Sequence, residues 1–250
     1  MTGVSMTRVL RSEGMKFSTL RSNIVTAAAA FTLIVGIAAV LIWARTGDPG
    51  APGAAVTDLL NGVTWAQMVL VVLAVVAICS EWSTGMSRVT FLAVPTRGRV
   101  VVAKALIVGA VSFLVGVMGA AAALAAGAFA AGIDTMADPA LSARLLAGSG
   151  LSLAALAVFA LGIGALVRNL VAGILTVAGI LWVLPFAVAM IPVPEVQKLV
   201  AYLPGTAAGA LIAPDDPAAA LTPWGGLAVL AVWMLVALSA AVVTVRTRDV

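Results

Sequence analysis

SEWSTGMSRVTFLAVPTRGRVVVAKA, Ser80–Ala105, is a compact basic stretch set between two long apolar runs. It holds no residue pattern that makes or breaks bonds. In a chain that is otherwise almost all apolar, it reads as a part that receives force from a partner. Ser83 can cap a short helix with Met86, Val89 and Ala93 on one side. Pro95 ends that helix, because the residue before a proline leaves the helical region. Arg97, Arg99 and Lys104 follow at the headgroup level, and Glu81 is placed to pair with Arg88 or with a basic residue of the N-terminal segment. The bland reading is an ordinary loop made basic for topology alone.

Outward from this stretch the composition sets the class. Of 250 residues, 63% are hydrophobic and 10% are charged, with a mean hydropathy of +1.18. A soluble domain has roughly 25% charged residues, so a wetted surface could not be covered. The apolar runs are continuous rather than alternating, which predicts an all-α integral membrane protein. Six runs are long enough for a hydrocarbon core of about 30 Å: 23–44, 63–80, 105–132, 149–167, 170–191 and 225–245. The second is the shortest of these and the third the longest. The first is too long in its apolar part for a cleaved leader.

The connecting segments decide the orientation. Alternate segments hold Arg8, Arg11, Lys16, Arg21, Arg88, Arg97, Arg99, Lys104, Arg168, Arg246 and Arg248, 11 of the 14 basic residues. The other set holds Arg45, Arg144 and Lys198 together with 7 of the 10 acids. Positive charge stays on the cytoplasmic side, so both termini are predicted to be cytoplasmic. Trp43, Trp65, Trp82 and Trp224 fall at predicted span ends, where interfacial anchors belong.

Several functions are disfavoured. The pI near 10.0 reflects an excess of only 4 basic residues, with no stacking aromatics among them, so no nucleic-acid partner is expected. The single Cys79 excludes an internal disulfide and reads as a small core residue, and without histidine a zinc site is not expected. No charged residue lies well inside a span, which disfavours ion-coupled transport and intramembrane proteolysis. No Walker-type phosphate loop is present, so ATP would have to be handled by another subunit.

The remaining segments have mechanical meaning. RSEGMKFSTLRS (Arg11–Ser22), read as a helix, groups Met6, Val9, Leu10, Phe17 and Leu20 on one face and Arg8, Arg11 and Arg21 around the other. That pattern is an interfacial amphipathic helix. Glu13 falls on its apolar face, which a partner charge from the stretch after the second span would explain. GVMGAAAALAAGAFAAG (Gly116–Gly132) is rich in small residues, so the third span is expected to pack closely among others or at a subunit interface. Arg168–Asn169 makes a tight turn between spans four and five, and Pro185 is expected to kink the fifth. The proline-rich segment 192–224 reads as one or two short re-entrant or interfacial helices.

RSEGMKFSTLRS, SEWSTGMSRVTFLAVPTRGRVVVAKA and YLPGTAAGAL (Tyr202–Leu211) occur in that order. Together they resemble the N-terminal helix, intracellular loop and outer re-entrant segment of type 2 ATP-binding-cassette (ABC) permeases, of the short six-span bacterial kind common in actinobacteria. The resemblance covers essentially the whole chain, and the middle motif is its most specific part. It implies a single transmembrane permease domain over 1–250: a cytoplasmic connecting helix in 1–22, five spans in 23–191, an extracytoplasmic re-entrant segment in 192–224, and the sixth span with a cytoplasmic tail in 225–250. It also implies a bacterial plasma-membrane location and a second permease subunit, identical or related. Two partner ATPase subunits would bind ATP and Mg, leaving this chain without cofactor or catalysis of its own.

By position, the resemblance places the ATPase-coupling region at Glu81, Thr84, Gly85, Arg88, Phe91, Leu92, Pro95 and Arg97, and the connecting helix at Arg11, Glu13 and Lys16. Gly14 departs from it, since a bulky aromatic is usual there, and would loosen that helix or its lipid contact. The family's path runs between spans two and five of the two protomers, which here offers Gln67, Met68, Trp182, Phe186 and Met190. The expected function is an exporter permease with a lipophilic or amphipathic cargo. The alternative is a membrane scaffold that anchors a cytoplasmic ATPase and moves nothing.

Overall fold

A lone apolar segment in lipid can satisfy its backbone only by coiling into a helix, and every regular element among the described residues is helical. The computed structural model describes residues 5–44, 56–83, 97–214 and 216–247. A short amphipathic helix, α1 (Met6–Thr19), is followed by α2 (Arg21–Ala44), α3 (Asn61–Ser83), α4 (Arg97–Ala131) and α5 (Pro139–Val167). The fifth apolar run divides into α6 (Leu170–Ala178), a π turn over Gly179–Val183 and α7 (Leu184–Ala189). Two short helices follow, α8 (Pro194–Lys198) and α9 (Pro204–Ala210), and then α10 (Pro223–Thr247). Six helical segments are long and apolar enough to cross a membrane, the number expected, and together they read as a multi-pass membrane protein.

Their lengths differ from expectation. The fifth segment, at 20 residues, is shorter than the second, at 25, because helix already forms over 56–58 and resumes at Asn61 after a short turn. The third begins at Arg97 and the fourth at Pro139, well before their apolar runs. In the fourth, Asp138 Oδ1 accepts from the amides of Ala140 and Leu141, each at 3.0 Å, and Pro139 takes the first position, where its missing N–H costs nothing. The cap therefore starts the helix where polarity, not apolarity, rules.

The hub is α5. It packs against α4, α10, α3 and α6, and 72% of its apolar window is buried, against 17% for the first and fifth segments. The expected close packing of the glycine-rich third span is present where it crosses this hub. A Cβ on Gly116 would lie 2.6 Å from the Ser149 carbonyl oxygen and 2.8 Å from Gly150 Cα, so the two backbones touch. Buried serines on α5 turn their hydroxyls back onto the helix, Ser149 donating to Leu145 O at 2.8 Å and Ser152 to Ser149 O at 3.1 Å.

Pro185 in the fifth segment lacks the N–H that would bond to the carbonyl four residues earlier. That carbonyl belongs to Leu181, and α9 packs against it: a Cβ on Gly205 would lie 2.6 Å from Leu181 O. The far end of α9 is held by Arg144, whose guanidinium donates to Leu211 O at 3.3 Å and Ala213 O at 3.1 Å. Trp233 Nε1 donates to Tyr202 O at 2.9 Å. The proline-rich segment thus carries two short α-helices with a 3-10 turn over Leu199–Tyr202 between them, and α9 is seated among α5, the π turn and α10.

At the opposite end, called here the terminal end, the start of α4 meets the end of α10, with a Cβ on Gly98 falling 2.9 Å from Arg246 Nε. There α1 lies along α4. Gly14 does not break it: α1 is helical throughout, and a Cβ there would meet Ile107 Cδ1 at an ordinary 4.0 Å. Gly14→Ala is therefore expected to stabilise the docked α1 by about 1 kcal/mol, the usual helix-interior difference. Slower hydrogen exchange of α1 amides would show it, and faster exchange would contradict the fit.

Candidate functional site

The expected force-receiving stretch joins α3 to α4 in the sequence, and the two helix ends that flank it are built differently. At the α4 root, Val9 is buried against Val100 and Ala103, with Met6 and Leu10 packed around them. Glu13 stands four residues beyond Val9 and Lys104 four beyond Val100, so each charge falls on the face its apolar neighbour defines. Glu13 Oε2 meets Lys104 Nζ at 2.8 Å, and Glu13 Oε1 meets Lys16 Nζ at 2.7 Å. The Glu13 and Lys104 side chains are only 3% and 9% exposed, which makes this a buried ion pair rather than a surface one. The expected partner charge for Glu13 is present. It comes from a residue inside α4, not from a loop, because the helix already begins at Arg97.

The carboxyl's ionisation follows from these contacts. Burial pushes its pKa up, but Lys104, by charge and hydrogen bond, and then Lys16 outweigh that, leaving it below the ordinary 4.5. A carboxyl held low in the folded state adds stability at every pH above its unfolded value, and this is lost as pH falls through the folded value. Docking of α1 is accordingly expected to keep its full strength from neutral pH down to the ordinary carboxyl value of 4.5 and to weaken progressively below it. Hydrogen exchange of α1 amides, corrected for the intrinsic effect of pH, checks this. A loosening midpoint near neutrality would contradict it.

After α1 the chain turns at Leu20 into α2, and the buried Asn23 holds the elbow by donating from Nδ2 to Phe17 O at 3.2 Å. Leu20, the residue that follows the last turn of α1, is 53% exposed and borders the same cleft as Phe17. Val9 and Glu13 are the residues of α1 that become buried. The apolar face is thus partly covered by α4 rather than lying wholly on lipid.

At the α3 root, Arg168 ends α5 in the left-handed conformation, φ 58°, its N–H donating to Gly164 O at 2.9 Å. Its guanidinium lies 4.4 Å over the Trp82 ring, a cation–π contact. Asn169 then caps α6 through Oδ1, which accepts from the Ala172 amide at 3.0 Å. Trp82, expected as an interfacial anchor, is a half-buried partner of Arg168, whereas Trp43, Trp65 and Trp224 stand exposed as anchors do. Cys79 is a buried core residue, as read, with its Sγ 3.4 Å from Gly164 O.

Of the expected coupling residues, Glu81 falls in the last turn of α3 and Arg97 opens α4. Thr84, Gly85, Arg88, Phe91, Leu92 and Pro95 lie outside the described residues, as does the short helix expected after Ser83. On α1, Arg11 is exposed while Glu13 and Lys16 share the ion cluster. The five path candidates differ in setting. Gln67 is buried, Met68 and Trp182 are half-buried, and Phe186 and Met190 are 67% and 70% exposed. The Trp182 indole N–H is enclosed without an acceptor among the described residues. No cluster of three metal-ligating side chains occurs among the described residues. No family model matches the chain, and no curated protein matches it in sequence.

Arg144 and Arg168 were not singled out as tertiary contacts by the sequence reading. The signal for Arg144 was available: it is one of only three basic residues in the otherwise acidic set of segments. The Arg144 guanidinium answers carbonyls left free beyond α9, and that of Arg168 lies on the aromatic face at the end of α3.

Proposed function

We propose that the chain is the membrane-spanning permease subunit of an ABC exporter, working as a dimer with ATPase subunits on the cytoplasmic side of a bacterial plasma membrane. The observation that carries the reading is the buried Glu13–Lys104 pair. It fixes α1 to the root of α4, which follows the stretch 84–96 that carries Arg88. A push delivered to that stretch would reach α1 and α4 as one body, rather than being lost in the bending of a surface helix. On this reading α1 is the connecting helix, 84–96 holds the coupling helix, and the segment carrying α9 is the re-entrant cap of the outer end. Hydrolysis in the partner rocks the spans between inward- and outward-facing states.

The exposed Phe186 and Met190 suit a face covered by a second permease subunit, and the spans offer an uncharged route for a lipophilic or amphipathic cargo. Native pull-down from membranes tests the reading. It is expected to recover a nucleotide-binding subunit, and recovery of none would end it. In reconstituted vesicles Arg88→Glu or Glu81→Ala should leave ATP hydrolysis running without flux. A scaffold that only anchors an ATPase would show no flux to lose.

A further inference from the structure

A helix that ends in the left-handed conformation ordinarily places glycine there, because a Cβ is crowded in that region. Helix α5 ends so at Arg168, φ 58°, the only non-glycine residue with a positive φ among the described residues. Strain kept at one position points to a side chain that is needed there. The Arg168 guanidinium lies 4.4 Å over the Trp82 ring, with Nε and Nη2 shut away from solvent. Trp82 stands in the last turn of α3, two residues before the stretch 84–96. On the other side of Arg168, Asn169 caps α6. The helices behind this corner meet through glycine. A Cβ on Gly164 would lie 2.8 Å from Ile78 Cγ2, and one on Gly173 would lie 3.0 Å from Val75 Cγ1. The end of α3 and the α5–α6 corner are therefore held together twice, by small-residue contact and by the cation on the ring.

We propose that Arg168 is a positioning residue that clamps α3 to this corner and carries movement of the stretch 84–96 into the fifth segment. A displacement arriving at the end of α3 would shift Trp82, and the guanidinium seated on that ring would draw the corner and α6 with it. Helix α6 runs directly into the π turn over Gly179–Val183 and on to α7. The motion would thus reach the exposed Phe186 and Met190. The Glu13–Lys104 pair holds the α4 side of the same stretch, and Arg168 holds the α3 side. The source of the movement rests on the permease reading, whereas the clamp does not.

Arg168→Gly is the informative change. Glycine suits the left-handed position, so a residue that only ended the helix would be replaced without loss. Arg168 and Trp82 each make a further contact, so the pair is read by a cycle with Trp82→Leu. In the purified full chain, hydrogen exchange over the last turn of α3 and the first turn of α6 is expected to quicken about fivefold in either single variant, the size of one cation–π contact. The double variant should be no worse than the singles. Arg168→Lys and Trp82→Phe keep a cation and a ring, and both are expected to retain protection. In vesicles holding the complex with its ATPase, Arg168→Gly is expected to keep hydrolysis while flux falls by at least the same factor, and Arg168→Lys to keep both. Unchanged or slower exchange in Arg168→Gly, additive effects in the cycle, or full flux in Arg168→Gly would each overturn the proposal. If wild type recovers no nucleotide-binding subunit, the permease reading falls and the transmission with it, while the cycle still decides the clamp.

Discussion

Lys104→Met is expected to release α1 from the bundle. The substitution leaves Glu13, 3% exposed at its side chain, with its closest buried cation gone. Removing one partner of a buried pair typically costs 3–5 kcal/mol, because the other charge stays behind in a low dielectric. Lys16 remains 2.7 Å away, so about 3 kcal/mol is the reasonable figure here. That corresponds to about a hundredfold loss of hydrogen-exchange protection in α1, with the six long helices much less affected. Because the pair is buried, added salt should change the result little. A cycle with Glu13→Gln separates the pair from the packing of Val9 on Val100: coupling of about 2 kcal/mol is expected. Single effects that simply add would show that the apolar contact alone holds α1.

Gly116→Leu is expected to damage the bundle more than any single change in its lipid-facing surface. The new Cβ would stand 2.6 Å from Ser149 O, a backbone atom that cannot swing aside. The reciprocal position is as tight, a Cβ on Gly150 falling 2.6 Å from Val117 Cγ2. Overpacking costs about 1–3 kcal/mol where side chains can adjust. Here α4 and α5 would have to separate along the hub, so a loss of about 3 kcal/mol or more is expected. Gly36→Ala is the control. Nothing lies within 4 Å of a Cβ there, and the change should be neutral or slightly stabilising. Thermal unfolding in detergent compares the two, and similar midpoints would mean that the crossing is not close-packed.

What the sequence made legible was whatever depends on water against lipid. The six apolar runs, the tight Arg168–Asn169 turn and the amphipathic pattern of α1 all follow from that contrast. The identity of the hub does not. Protein-facing and lipid-facing surfaces are equally apolar within a membrane, so α5 reads no differently from α2, although one is enclosed and the other mostly exposed. The clue was the small and hydroxylic set Gly148, Ser149, Gly150, Ser152, Gly162 and Gly164, less conspicuous than the alanine-rich run of α4. Polar helix starts were also hidden. Arg97–Lys104 read as loop because charge suggested water, yet Lys104 turns inward to Glu13, near the other end of the first hundred residues. Glu13 was the visible half of that contact, an acid on an apolar face demanding a partner.

On the proposed reading α1 and the α4 root face the cytoplasm, where a partner's ATP hydrolysis would move them. Single cysteines placed in a Cys79→Ala background test it most directly, at Ser18 on the exposed side of α1 and at Met136 in the turn between α4 and α5. A membrane-impermeant maleimide added to intact cells is expected to label Met136→Cys and to leave Ser18→Cys untouched until the membrane is opened. Labelling of Ser18→Cys from outside, with Met136→Cys protected, would contradict the account.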